Sequence, residues 1–121
     1  MMKGEEHLVK RGQYTSVLTQ GSLWVGRLVV MRALPNGLDL SRYGLVASKR
    51  VGGAVVRNKV KRLLREIMRQ MPLKSGWDIV FIARPAAAAV HYADLRQLVE
   101  SLLSQAGLLV GNHEKTCLAT N

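Results

Sequence analysis

Aromatic residues, cysteine and acid are what this sequence has least of. Its 121 residues include two Trp, three Tyr, one Phe, a single cysteine (Cys117) and eight Asp and Glu. One cysteine excludes an internal disulfide and a cysteine-based zinc cluster. No apolar run approaches the ~18 residues of a membrane-spanning helix. The opening MMKGEEHLVKRG carries acids with no long apolar stretch behind them, unlike a secretory signal. A cytoplasmic protein is the expected setting. Neither GxGxxG after a strand nor GxxxxGK(S/T) occurs, so nucleotide binding of either kind has no support.

A catalytic centre is lacking as well. His7, His91 and His113 are scattered and share no metal-ligand spacing. Asp39, Asp78 and Asp94 fall in a turn, at a strand start and near a helix start, too dispersed for a two-metal nuclease. No Ser-His-Asp or Cys-His arrangement emerges. The expected catalytic and metal-ligating residues of the chain are therefore none.

Positive charge is what the chain has in excess. Eighteen Lys and Arg give a formal net charge of +10, enough to attract a polyanion and speed encounter with it. Charge alone leaves DNA, RNA and an anionic membrane surface open. With 48% hydrophobic residues the chain reads as a folded globule. One domain is expected over residues 1–107, with a flexible tail over 108–121.

Periodicity predicts a short helix over Gln13–Leu18, ended by Gly21, and one long strand over 24–34 (WVGRLVVMRAL). A turn at Pro35-Asn36-Gly37, a strand over Tyr43–Ser48 and a strand over Trp77–Ala83 follow. Helices are expected over 55–71, where Val60, Leu63, Leu64, Ile67, Met68 and Met71 recur at helical spacing, and over Tyr92–Ala106, with Gly107 as C-cap. That order favours an α+β two-layer sandwich with amphipathic helices laid on one sheet.

Between Lys49 and Arg69 the only acid is Glu66. Lys49 and Arg50 precede the helix. Arg57, Asn58, Lys59, Lys61, Arg62, Arg65 and Arg69 occupy the arc opposite its apolar side chains. Arg57, Lys61, Arg65 and Arg69 stand at i, i+4, where like charges each oppose the helix by roughly 0.2–0.5 kcal/mol. A phosphate backbone would turn that repulsion into attraction. A solvated helix face is the plain alternative. Membrane-surface binding is weakened because the apolar face suits sheet packing and lacks aromatics. Gly52 and Gly53 either bring amides to a phosphate or serve a turn. Asn58 is either a ligand for phosphate or 2′-hydroxyl or simply an exposed polar residue. Tyr14 either stacks on a base or joins the core, and Ser48 reads as a strand-end hydroxyl.

The segment GLVASKRVGGAVVRNKVKRLLREIMR, residues 44–69, resembles the signature of the bacterial ribonuclease P protein family. The match runs through Gly44, Ser48, Lys49, Arg50, Gly52, Ala54, Val55, Arg57, Asn58, Lys61, Arg62, Arg65 and Glu66. The resemblance extends over the chain up to about Leu108. It implies a fold like the second domain of a ribosomal small-subunit protein: a four-stranded sheet with helices on one side and a left-handed βαβ crossover. It further implies a subunit without chemistry of its own. The catalytic RNA, with Mg²⁺ held by that RNA and its substrate, would remove the 5′ leader of precursor tRNA.

By the same resemblance Lys49, Arg50, Arg57, Asn58, Lys59, Lys61, Arg62, Arg65 and Arg69 face RNA. Tyr14, Leu18, Arg32 and Ser48 would line a groove for the single-stranded leader. Lys59 stands where the family usually has Arg, and Gly53 where Asn is common. Tyr14 and Leu18 replace Phe, and Arg32 an aromatic of some members, which shifts leader binding from stacking towards charge. A general or ribosome-associated RNA-binding protein is the alternative, and a DNA-binding helix the second.

Overall fold

A computed structural model describes residues 5–7 and 11–110, with side chains from Gly12 onward. Cys117, His113 and the tail from 111 lie outside the described residues. The elements are β1 (Glu5–His7), α1 (Arg11–Gln20), β2 (Ser22–Val25), β3 (Val29–Pro35), β4 (Ser41–Val46), α2 (Ala54–Arg69), β5 (Trp77–Ala83), a 3₁₀ turn (Pro85–Ala89) and α3 (Tyr92–Gln105). A mixed four-stranded sheet, β4-β5-β3-β2, is extended at the β4 edge by the three residues of β1. β3 runs antiparallel to β2 and β5, whereas β4 and β5 are parallel neighbours joined through α2.

The predicted strand over 24–34 is a hairpin. Val25 pairs with Val30, and the Gly26 N–H donates to the Val29 carbonyl at 2.9 Å. A Cβ on Gly26 would stand 2.8 Å from that carbonyl oxygen, so the turn requires glycine. Leu28, inside the turn, is buried in the core, which keeps the apolar run unbroken across the reversal. Arg84 ties the turn down from β5, its Nη1 donating to the Gly26 carbonyl at 3.0 Å.

Side-chain alternation along β5 sorts the core into two parts. Ile79, Phe81 and Ala83 face Val29, Met31, Ala33 and Tyr43, and onto this layer pack Val60, Leu64, Ile67 and Met68 of α2 and Leu95, Val99, Leu102 and Leu103 of α3. Burial of each such side chain contributes about 1.5–3 kcal/mol. Val80 and Ile82 point the other way, to Val17 and to half-buried Tyr14, Leu18, Leu34 and Val46. Thus α2 and α3 share one side as expected, while α1 lies on the opposite face. WDIVFIA has apolar residues of both parities because β5 is covered on both sides.

α3 ends in a Schellman motif. Gly107 has φ +73°, its N–H bonds the Ser104 carbonyl at 3.0 Å, and the Leu108 N–H bonds the Leu103 carbonyl at 2.9 Å. That turn drives Leu108 into the core beside Leu109, which bridges to Leu73. The packed domain therefore extends past the expected limit at 107, through at least Leu109.

The polar end of the sheet is tied by Asp78, which is buried. The guanidinium of Arg42 donates twice to its carboxylate, Nε to Oδ1 at 2.8 Å and Nη2 to Oδ2 at 2.7 Å. Asn36 donates to the same Oδ1 at 2.9 Å, fixing the turn after β3 against β5. Asp78 is thus a structural anchor.

Candidate nucleic-acid interface

α2 starts where the backbone lets it. After β4 the chain turns through Ser48–Gly53, anchored by buried Val51, whose N–H bonds the Ser48 carbonyl at 3.0 Å. Gly52 adopts φ +153°, and a Cβ there would meet Val56 at 2.9 Å, so this glycine serves the turn. Gly53 is the N-cap, supplies no capping side chain and has open space around it. Ser48 is exposed and its Oγ accepts the Arg50 N–H at 3.3 Å.

Six cations and one acid, Glu66, stand on the sixteen residues of α2. Asn58, Lys59, Arg62 and Arg69 are exposed, as are Lys49 and Arg50 before the helix. Arg57, Lys61 and Arg65 are half-buried along one flank. Among the described residues no ion pair joins an α2 cation to a carboxylate. Buried Nε of Arg57 makes no hydrogen bond among the described residues. Asn58, Lys59, Arg62 and Arg65, with Val55, border a shallow hollow of about 490 Å³.

Of the four residues expected to form a groove, Tyr14 and Leu18 join one apolar cluster, and each of the four does something different. Tyr14 lies flat over Gly44, where a Cβ would come within 2.5 Å of its ring. Leu18 packs on the Val17–Val80 cluster. Arg32 points to the α1 side of β3, and its Nη1 donates to the Gly21 carbonyl at 3.2 Å, closing the end of α1. Ser48 stands two residues beyond the end of β4.

The floor of this region was not singled out from the sequence. Register places Val46 beside Ile82, Ile82 beside Val30, and Val30 beside Val25, one aliphatic row across four strands. Val46, Ile82 and Val30 are half-buried, and Val25 is 62% exposed. Leu23, in the neighbouring row, is 48% exposed. The signal for the row was available in the two-sided apolarity of β5. Just beyond it the chain carries Lys49 and Arg50 after β4, Arg84 after β5 and Arg27 in the hairpin turn, all exposed. An aliphatic floor ending among cations suits a strand with apolar faces and a charged backbone.

Among the described residues carboxylates do not gather anywhere comparable. Among the described residues no group of three or more His, Cys, Asp or Glu could hold a metal ion, and no helix is long and apolar enough to cross a membrane. Fold and surface together define a small α+β polyanion-binding protein.

Comparison with known proteins makes that class particular. The family model described as Ribonuclease P matches residues 2–107. A ribonuclease P protein component from Dehalococcoides mccartyi strain CBDB1 is 49% identical over 120 residues, 99% of this chain and 100% of that one. Solved ribonuclease P proteins share the fold. That of Staphylococcus aureus has a TM-score of 0.77 at 27% identity, covering 86% of this chain and 97% of its own. That of Thermotoga maritima has 0.75 at 30%, covering 82% and 96%. The chain belongs to the bacterial ribonuclease P protein family, the protein subunits of an endoribonuclease.

Proposed function

We propose that this chain binds the catalytic RNA of ribonuclease P through α2 and the Ser48–Gly53 loop, and holds the 5′ leader of precursor tRNA on the open face of its sheet. The observation that carries this reading is the one-signed face of α2, six cations against Glu66 with no carboxylate partner among the described residues. Each phosphate neutralised there releases counterions. The leader, single-stranded, lays bases on the Val46–Ile82–Val30–Val25 row beside Tyr14 and Leu18, with phosphates towards Lys49 and Arg50. Leader binding relies on aliphatic contact and charge, since Tyr14 is the one aromatic ring of the cluster on that face.

Cleavage belongs to the RNA, with Mg²⁺ held by RNA and substrate. The described part of this chain has no donor set for a resident metal. Its cations screen phosphates that would otherwise repel one another where substrate and catalyst meet, lowering the Mg²⁺ needed. The reaction takes place in the cytoplasm. Mixing the protein with a bacterial ribonuclease P RNA restores leader removal from precursor tRNA at low Mg²⁺, and the protein alone cleaves nothing. Cleavage by RNA-free protein would sink this reading. Equal affinity for unrelated structured RNAs, without any effect on leader removal, would replace it with a general RNA-binding role.

A further inference from the structure

Val55 is 83% exposed, the most exposed large hydrophobic among the described residues. Its neighbour Val56 has an evident structural task, packing under Gly52 and against the main core. Val55 has none. It points outward from the first turn of α2, where a β-branched residue disfavours the helix relative to alanine. Nothing in the fold explains a valine there.

Its surroundings do. Val55, Asn58, Lys59 and Arg62 stand at i, i+3, i+4 and i+7, one stripe on the helix surface, and together with Arg65 they border the 490 Å³ hollow. A protein partner pressing an apolar surface onto Val55 would strip water from Lys59 and Arg62 without compensation. A lipid surface would ask for a broader apolar face than one valine. A nucleotide offers both chemistries within its own dimensions: the apolar face of a base or ribose beside an anionic phosphate. We infer that Val55 is a contact residue of the RNA interface, its methyl groups seating a base or ribose of the catalytic RNA while Asn58, Lys59 and Arg62 hold the flanking phosphates.

This inference rests on the reading of α2 as the RNA face, and salt dependence separates the two. Phosphate contacts weaken with salt through counterion release, whereas apolar burial does not. The full-length chain is titrated against an in vitro transcribed bacterial ribonuclease P RNA over a range of salt concentrations. Val55→Ala lowers affinity about fivefold at every salt concentration and leaves the salt slope unchanged. Val55→Thr, which keeps the shape and replaces a methyl with a hydroxyl, lowers it about threefold. Lys59→Ala instead reduces the slope by about 0.7–0.9.

Thermal melting accompanies the binding data, and Val55→Ala melts at or above the temperature of the parent chain. A lowered melting temperature would mean that Val55 supports the fold, which overturns the inference. Unchanged affinity in both Val55 variants, with the Lys59→Ala slope effect intact, also overturns it and leaves the RNA face standing. Unchanged binding in all three variants defeats the RNA-face reading itself.

Discussion

The two faces of the sheet carry similar residues and meet different fates. On one, Ile79, Phe81 and Ala83 of β5 disappear beneath α2 and α3. On the other, Val80 is sealed by Val17 of α1, but Ile82 one position further on is only half-covered. Two long helices close a face, while one helix of ten residues covers part of one and leaves a row of aliphatics at its end. Such a remainder costs solvation unless something fills it. Burial on the first face makes the fold, and incomplete burial on the second leaves room for a ligand.

Adjacent residues of β5 test that contrast most sharply. Phe81→Ala removes a fully buried ring and destabilises the protein by about 3–5 kcal/mol in urea unfolding. Ile82→Ala, on the half-covered face, costs about 1–2 kcal/mol. Binding reverses the order. Ile82→Ala weakens affinity for precursor tRNA with a leader several-fold relative to the same RNA without one. Phe81→Ala, measured where it remains folded, leaves that ratio unchanged. Equal stability losses, or a leader effect confined to Phe81→Ala, would break the comparison.

The polar end of the open face is held differently again. Asp78→Ala leaves the Arg42 guanidinium partly buried without its carboxylate and the Asn36 amide with only the Leu40 carbonyl, 3.2 Å away, as acceptor. The expected loss is about 3 kcal/mol. Arg42→Met with Asp78→Leu replaces charge by packing and recovers most of it. Failure of that pair to recover would show that the turn at Asn36 depends on the carboxylate itself.

What the sequence makes legible follows from where local signals are strong. β5 lies over Trp77–Ala83 as read, and α2 and α3 lie within two residues of their expected limits, because dense apolar periodicity and Gly107 leave little choice. The hairpin at Gly26 escapes because Leu28 sits in the turn and is apolar for the core's sake. The side chosen by α1 escapes because Tyr14, Val17 and Leu18 say only that the helix has a face; the second apolar parity of β5 decides where that face goes. Tyr14 and Leu18 are brought together on the Val17–Val80 cluster, on the α1 side of the sheet. Arg32 is there too, yet spends one of its donors on Gly21, a tertiary contact that no local pattern announces. α2 needed no tertiary information, since its cations and its core residues separate on the helical wheel.

Gly44→Ala probes how closely α1 sits on the open face. The new methyl would stand 2.5 Å from the Tyr14 ring, so the ring must shift from its place between α1 and the sheet. A loss of about 1–3 kcal/mol is expected. In a Tyr14→Ala background the same substitution costs little, a coupling of at least ~1 kcal/mol. Additive losses would mean that the ring and the glycine do not constrain each other.

The smallest effect on the fold belongs to the face proposed to bind by charge. Arg62 is exposed on α2 and has no carboxylate partner among the described residues. Arg62→Ala therefore leaves urea stability within about 0.5 kcal/mol of the parent. Relief of like-charge repulsion along the helix offsets part of what packing is lost. Its affinity for the catalytic RNA nevertheless falls about tenfold at low salt, and the slope of log affinity against log salt shrinks by about 0.7–0.9. Ile82→Ala changes leader discrimination without that change in slope. A salt signature at Ile82, or its absence at Arg62, would erase the distinction between an aliphatic floor and a charged helix on which the two roles rest.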